Sequence, residues 1–198
     1  MIQRRSKSFS LDRMVKVSIL AGISYLLMFI QLPIPIAPPF MKVDLADVPA
    51  LIGGFAMGPL YGVLIQLIKN VLNLSKTMTG GVGELSNFVV GSTFVLVSSL
   101  IYRDKKTRKN SILALVLGVI AMSAVATLSN AFVVFPIYGK VMNMDLEAFA
   151  GMIPGNSLVN NYITLMIFSV APFNIIKGAI ESLVTQVLYK RISPSLKF

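Results

Sequence analysis

Pro172-Phe173-Asn174-Ile175-Ile176-Lys177-Gly178 places a lysine inside the last long apolar run of the chain. A charged side chain at the centre of a membrane helix costs roughly 2.5 kcal/mol or more, so such residues usually serve a ligand, an ion path or a paired partner. Asn174 and Lys177 are three residues apart and therefore share one face of a helix. The run predicts a membrane-spanning helix that offers an amide and an ammonium group on one face.

The composition extends this interpretation to the whole chain. Hydrophobic residues make up 55% of the 198 residues and charged residues only 13%, against about 25% charged in soluble domains. The mean hydropathy is +0.77. We expect one integral membrane domain over residues 1–198, because the chain is short for two domains and contains no polar linker. The first apolar run is too long for a cleavable signal, and further runs follow it.

Six apolar runs are candidate spans, since about 20 apolar residues cross a hydrocarbon core of about 30 Å. Pro33 ends the first run, and Gly58-Pro59 separates the second from the third. We also expect 157–171 to be helical, at the outer surface and leading into the last span. The predicted fold is an all-α bundle of six transmembrane helices, over residues 15–32, 45–57, 60–74, 85–102, 112–135 and 172–189.

Basic residues are concentrated before the first run, between the fourth and fifth, and after the sixth. A six-span bundle places these segments on one side, and cytoplasmic loops collect Lys and Arg. We therefore predict that both termini are cytoplasmic. The same rule accounts for the net charge of +10, which leaves nucleic-acid binding as the weaker interpretation.

The residue types exclude most catalytic chemistry. The chain has no Cys and no His, so it offers no thiolate nucleophile, no imidazole base and no zinc-thiolate site. Gly80-Gly81-Val82-Gly83-Glu84 is rich in glycine but lacks the lysine of a phosphate-binding loop. We expect a protein that neither hydrolyses ATP nor acts as an enzyme.

Polar residues recur at the run ends that this topology places outside. Asp44 and Asp47 begin the second run, as helix caps or as part of a site, while Glu84 and Asn87 open the fourth and Asn130 lies near the end of the fifth. Single polar contacts between membrane helices are common and worth about 0.6 kcal/mol. Several together, of both charge signs, predict a pocket open to the outside. Its apolar surroundings suit a small organic molecule better than a bare ion.

Several stretches resemble a known family of membrane proteins. Those in the second and third runs are Val43-Asp44-Leu45-Ala46-Asp47-Val48-Pro49-Ala50-Leu51, Gly58-Pro59-Leu60-Tyr61-Gly62 and Ile68-Lys69-Asn70. Later stretches are Gly83-Glu84-Leu85-Ser86-Asn87-Phe88 and the Pro172–Gly178 run. Together they resemble the riboflavin-specific substrate-binding (S) subunits of energy-coupling-factor (ECF) transporters over nearly the whole chain.

This resemblance implies a high-affinity riboflavin-binding subunit of the bacterial cell membrane. Such a subunit binds the vitamin from outside and delivers it inward with a membrane coupling (T) component and a pair of cytoplasmic ATPases. Riboflavin is then the transported ligand, and no cofactor or metal is implied. The family docks its partner through small residues of the first span, where this chain has Ser18, Ala21 and Gly22. The same residues also suit ordinary helix packing.

A flavin ring has flat apolar faces and a polar edge, so it needs apolar walls and a few donors. We expect Asn174 and Lys177 to donate to its acceptor atoms. Acidic groups either accept from the ribityl hydroxyls or hold the buried lysines. The Pro-rich segment is expected to be a stiff, unpaired loop that gates the site, through Pro33, Pro35, Pro38, Pro39 and Phe40. The predicted substrate contacts are Asp47, Glu84, Asn87, Asn130, Asn174 and Lys177.

Alternative functions remain open at the level of sequence. A solitary proton-coupled transporter of a small organic solute would use Asp47, Glu84 or Glu181 as its titrating group. A membrane enzyme is disfavoured by the missing His and Cys. A purely structural scaffold leaves the charged residues of the spans without a role.

Overall fold

Helices make up most of the chain in the computed structural model, which describes residues 11–77, 80–153 and 156–196. A 3₁₀ turn, Leu74–Lys76, follows the third helix, and another, Leu146–Met152, follows the sixth. The α-helices are α1 (Leu11–Leu27), α2 (Val48–Met57), α3 (Pro59–Asn73), α4 (Val82–Asp104), α5 (Arg108–Ser129), α6 (Phe135–Met142), α7 (Tyr162–Leu165) and α8 (Ala171–Leu196).

Among the residues that the structure describes, three continuous helical stretches are long and apolar enough to cross a membrane: Val82–Asp104, Arg108–Met142 and Tyr162–Ile192. The second predicted run forms a shorter apolar helix, Val48–Met57. Each of the six predicted runs contains a helix, so the helical class of the fold is confirmed. The count of six membrane spans stays a prediction, because α1 to α3 are short for the purpose.

The turn between α2 and α3 is set by two residues. Gly58 has a φ of 113°, a left-handed conformation that glycine adopts without the strain a Cβ would add. Pro59 then begins α3, where its fixed φ suits the helix and its missing N–H costs nothing. The sequence thus reverses the chain between two neighbouring helices without a loop.

The helical stretches at the last two predicted spans extend beyond the predicted bounds, because each stretch passes through a proline. The structure continues the fifth to Met142 and begins the sixth at Tyr162, whereas the prediction ended at 135 and began at 172. Only 162–171 of the stretch expected to be helical is helical, and it is continuous with α8. Each proline follows a π-helical turn, Asn130–Val134 before Pro136 and Met166–Val170 before Pro172.

Side chains supply the hydrogen bonds that these prolines cannot make. A proline lacks the N–H that would bond a carbonyl of the preceding turn. The Tyr162 hydroxyl donates to the carbonyl of Ala131 at 2.6 Å. The Asn156 amide donates to the carbonyl of Phe168 at 3.5 Å. Prolines with local π-helical turns therefore bend these helices without breaking them.

The proline-rich segment is paired at its ends, which corrects the expectation of an unpaired loop. Strand β1 (Leu32–Pro33) pairs antiparallel with β2 (Lys42–Val43). Between the strands, the Ser169 hydroxyl donates to the carbonyl of Ile36 at 2.6 Å. The loop formed by residues 34–41, called the cover loop below, is therefore a hairpin tip fixed to the helix that carries Lys177.

The helices pack around two main apolar clusters. One cluster is shared by helices α1, α2, α3, α4, α5 and α8 and includes Leu51, Phe94 and Met122. The other lies beneath the cover loop, around Phe135, Phe149 and Leu165. A third, small cluster of Ala37, Val43 and Phe173 attaches the cover loop to α8.

The bundle has two distinguishable ends. At one end, called the basic end below, α4 ends, α5 begins and α8 ends, and the intervening segment is Lys105-Lys106-Thr107. The rings of Phe55, Tyr102 and Tyr189 pack together there, with centroids 4.4 to 5.6 Å apart. The cover loop, the start of α2 and the start of α4 lie at the opposite end.

Candidate functional site

A cluster of buried charges joins α2, α3 and α8. It consists of the carboxylates of Asp44, Asp47 and Glu181 and the ammonium groups of Lys69 and Lys177, and it is called the ion cluster below. Three acids face two lysines, and all five residues are buried. Buried charges need partners and hydrogen bonds to offset the loss of water, so this cluster fixes the three helices relative to one another.

Asp47 is the centre of the ion cluster. Its Oδ1 accepts from the Lys69 ammonium and, at 2.9 Å, from the amide of Gln66. Its Oδ2 lies 3.9 Å from Nζ of Lys177. Asp47 precedes α2 but makes no capping hydrogen bond to it. Both lysines thus share one carboxylate, and the helix-cap interpretation of Asp47 does not hold.

Asp44 is likewise no cap of α2. One of its oxygens accepts from the backbone N–H of Ala46 at 2.8 Å, and the other lies 3.5 Å from Nζ of Lys177. Ser24 of α1 donates to the carbonyl of Ala46. These bonds hold the segment before α2 in place, and with it the carboxylate that faces Lys177.

The two lysines differ in their access to a ligand. The side chain of Lys69 is 0% exposed and that of Lys177 is 10% exposed. Lys69 is therefore enclosed by protein, while Lys177 keeps part of its surface free. Asn174, one turn before Lys177, donates to the carbonyl of Val170 at 2.8 Å, the last residue of a π-helical turn. This turn changes the direction in which the following side chains point, and such turns are frequent at functional sites.

Asn130 stands at the corresponding place in the neighbouring helix. It begins the other π-helical turn and donates to the carbonyl of Ala126 at 2.7 Å. The Tyr162 hydroxyl links this turn to the start of the last helical stretch. The structure thus places two predicted site residues, Asn130 and Asn174, beside π-helical turns at the end of the bundle opposite the basic end.

Glu84 and Asn87 occupy a different part of that end. Glu84 accepts from the Asn73 amide at 3.0 Å and from the Thr77 hydroxyl at 2.9 Å, so it closes the connection between α3 and α4. Asn87 is half-buried one turn later. The ion pair brings Asp47 and Lys177 together, and Asn174 lies one turn before Lys177 on the same helix. Glu84 instead bonds to the α3–α4 connection.

The predicted docking residues of α1 do not share one environment. Ser18 is exposed, and the space around Gly22 is open, because a Cβ added there would meet no other atom within 4 Å. Ala21, by contrast, is 0% exposed within the first apolar cluster. Ala21 is therefore corrected to a core residue, and only Ser18 and Gly22 lie on an accessible face.

Comparisons with known proteins agree with this architecture. The family model of ECF transporter substrate-specific components matches residues 12–189. The riboflavin transporter RibU of Staphylococcus aureus (strain TCH60) is 36% identical over 93% of this chain and 92% of its own. The riboflavin transporter FmnP of Bacillus subtilis (strain 168) is 29% identical, covering 92% of each chain.

The fold leads to the same family. A solved S component of a bacterial ECF transporter superposes with a TM-score of 0.75 at 34% identity, over 94% of this chain and 98% of that one. The chain belongs to the substrate-specific components of ECF transporters. The recognition made from sequence motifs is therefore confirmed. An S component is an integral membrane transport protein and not an enzyme, as the residue types indicated.

Sequence reasoning missed the structural contacts of three residues of this S component. Gln66 supports Asp47, Glu181 completes the ion cluster, and Tyr162 bridges two helices. Glu181 is four residues after Lys177, a spacing that places both on one helix face. This spacing could have predicted that Glu181 pairs with Lys177. Gln66 and Tyr162 gave no such signal, because their partners lie on other elements.

Proposed function

We propose that this S component binds riboflavin from outside the cell and delivers it inward. The proposal rests on Lys177, which is partly accessible, is held by two aspartates and lies one turn after Asn174, on the helix that packs against the cover loop through Phe173. This arrangement offers fixed donors in apolar surroundings, which suits the polar edge of a flat aromatic ring. The names of the relatives, both riboflavin transporters, support the same substrate.

In this proposal each site residue has a distinct role. Lys177 and Asn174 donate to the carbonyl and nitrogen acceptors of the isoalloxazine ring. Asp47 holds the Lys177 ammonium group in place through the ion cluster. Asn130 contacts the ring or tail from the neighbouring helix, and Glu84 and Asn87 are acceptors for ribityl hydroxyls.

The cover loop acts as the gate in this proposal. Phe40 packs edge-on against Phe135, Tyr138 and Phe149, with ring centroids 5.3 to 6.2 Å apart. Four prolines between residues 33 and 39 stiffen the segment. Aromatic contacts of this kind are individually weak, about 0.5–1.5 kcal/mol each, so the loop can open for entry and close over the ligand.

Energy comes from other proteins in this proposal. The S component works in the cell membrane with a T component and a pair of cytoplasmic ATPases, and its termini face the cytoplasm. Six helices, α1 to α5 and the Tyr162–Ile192 stretch, span the bilayer. Ser18 and Gly22 provide a small-residue face on α1 where a partner helix can approach closely.

The substrate is tested by purifying the full chain in detergent from cells grown with riboflavin. We expect yellow protein and quenching of flavin fluorescence when riboflavin is added to stripped protein. Colourless protein that leaves the fluorescence of added riboflavin unchanged would remove the substrate assignment while leaving the family assignment intact.

A second candidate, proton-coupled uptake without partners, is favoured by Glu181. This carboxylate is 0% exposed, and neither of its oxygens has a hydrogen-bond partner among the described residues. Uptake of labelled riboflavin into vesicles separates the two candidates. Uptake that requires the T component and ATPases with ATP supports the proposal. Uptake by this chain alone, abolished by an uncoupler, supports the second candidate.

A further inference from the structure

A groove at the basic end of the bundle has no role in the transport site. It has a volume of about 770 Å³ and lies between the end of α4, the start of α5 and the end of α8. Tyr102 and Tyr189 line its inner part. None of the predicted substrate contacts lines it, so its chemistry requires a separate explanation.

The groove is strongly positive. Arg108, Lys190 and Arg191 line it, and its described lining contains no carboxylate. None of these three side chains forms an ion pair with a residue in the described part of the chain. Arg108 is also the first residue of α5, and a helix N-terminus carries partial positive charge. An anionic group is therefore favoured in the groove.

The polar floor of the groove is held in place by protein contacts. The amide of Gln186 on α8 donates to the hydroxyl of Ser111 on α5 at 2.7 Å. The Tyr189 ring packs edge-on against Tyr102, with centroids 5.6 Å apart. The basic side chains thus surround a defined concave surface between helices.

A purely apolar groove continues from this one along α8. It has a volume of about 270 Å³ and is lined by Leu183, Val184, Val187 and Leu188. Val187 lines both grooves. Leu183 and Val187 are 69% and 62% exposed and lie on the surface of a helix that is long and apolar enough to cross a membrane. A ligand that fills both grooves has an anionic head and a hydrocarbon tail.

We propose that the two grooves together bind one anionic phospholipid, with its phosphate among Arg108, Lys190 and Arg191 and an acyl chain against Val187. Arginine suits this head group because its planar donors match phosphate oxygens. Basic pockets between helices at a membrane surface are suited to anionic lipid head groups. A lipid at this place would bridge α5 and α8 at the end of the bundle opposite the cover loop.

A general excess of positive charge at this end explains the basic residues without a lipid site, and a matched control distinguishes the two. The first triple variant is Arg108→Gln, Lys190→Gln and Arg191→Gln. The control triple variant is Lys105→Gln, Lys106→Gln and Lys109→Gln, which removes the same charge from the same end but from residues outside the groove lining.

The experiment measures lipid binding to the purified full chain in detergent by native mass spectrometry, with phosphatidylglycerol and phosphatidylcholine of equal acyl chains. We expect the wild type to bind phosphatidylglycerol at least about tenfold more tightly. A basic residue near an anionic surface is worth roughly a fivefold gain, so the groove variant should bind on the order of 100-fold more weakly. The control variant should resemble the wild type. Equal binding of both lipids, or equal losses in both variants, overturns the proposal.

Two further measurements complete the test. Val187→Asn should weaken phosphatidylglycerol binding. This single variant decides the outcome if circular dichroism shows that the triple groove variant does not fold. Phosphatidylglycerol binding by Val187→Asn equal to that of the wild type overturns the proposal. Inorganic phosphate and glycerol phosphate are added as competitors at the same concentration as the lipid. We expect neither to displace it, because they lack the acyl chain. Displacement by either identifies a site for soluble phosphates and contradicts the lipid assignment.

Discussion

At the scale of single residues, the ion cluster explains why charged side chains occur inside an apolar bundle. Lys69 and Lys177 share Asp47, and Asp44 adds a second acid to Lys177. Isolated charges would be prohibitively costly there, while paired and hydrogen-bonded ones are tolerated. Of the two lysines, only Lys177 retains exposed surface, so Lys69 is a structural residue enclosed by protein while Lys177 is partly accessible.

Removing the structural lysine should destabilise the fold. Lys69→Met leaves the buried Asp47 carboxylate without its main partner, and breaking a buried pair costs about 3–5 kcal/mol. We expect a clearly lower thermal unfolding midpoint in detergent, followed by circular dichroism. Lys140→Met, at an exposed position, is the matched control and should leave the midpoint unchanged.

A double variant checks the physical reason. Asp47→Asn combined with Lys69→Met removes both charges of the pair, so it should be more stable than Lys69→Met alone. A double variant that is less stable than the single one would show that Lys69 contributes packing and not charge compensation.

Substitution of Glu181 should not lower the unfolding midpoint as substitution of Lys69 does. Three acids face two lysines in the ion cluster, and the Glu181 oxygens have no hydrogen-bond partner among the described residues. Glu181→Gln preserves the shape and removes the excess acid, so the unfolding midpoint should be equal to or above that of the wild type. A fall as large as that of Lys69→Met would contradict this view of the charge balance.

At the scale of elements, the prolines show where sequence reasoning succeeded and where it failed. Gly58-Pro59 marked the turn between α2 and α3 correctly, because both residues act locally on the backbone. The predicted fifth span ended just before Pro136 and the predicted sixth began at Pro172, yet each proline lies within a continuous helical stretch. Their compensating partners, such as Tyr162 for the Ala131 carbonyl, come from distant segments that local sequence cannot identify.

The prediction at this scale concerns the role of the cover loop in riboflavin release. Phe40→Ala removes the ring that packs against three aromatic residues, and each such pair is worth about 0.5–1.5 kcal/mol. If the loop is the gate, riboflavin should dissociate roughly 2- to 10-fold faster, measured by stopped-flow recovery of flavin fluorescence. Phe132→Ala, at a position 75% exposed, is the control. An unchanged rate in Phe40→Ala would show that the loop does not limit release.

At the scale of the whole molecule, the bundle carries distinct groups of charged residues toward its two ends. The ion cluster and cover loop lie toward one end, and the basic groove lies at the other. The apolar runs were enough to predict the helical bundle, and the motifs taken together, including the one around Lys177, were enough to recognise the family. The pairing of Asp44 and Asp47 with lysines on α3 and α8 depends on how helices pack, so the sequence left their role undecided.

Ligand binding to the native state raises the stability of the whole fold, by about 2.7 kcal/mol at a ligand concentration 100 times the Kd. The most direct measurement is therefore the thermal unfolding midpoint of the purified full chain with and without riboflavin, for the wild type, Lys177→Met and Lys140→Met. The account predicts a riboflavin-dependent rise in the wild type and in Lys140→Met, and a much smaller rise in Lys177→Met. The absence of any rise in the wild type, or an equal rise in Lys177→Met, would contradict it.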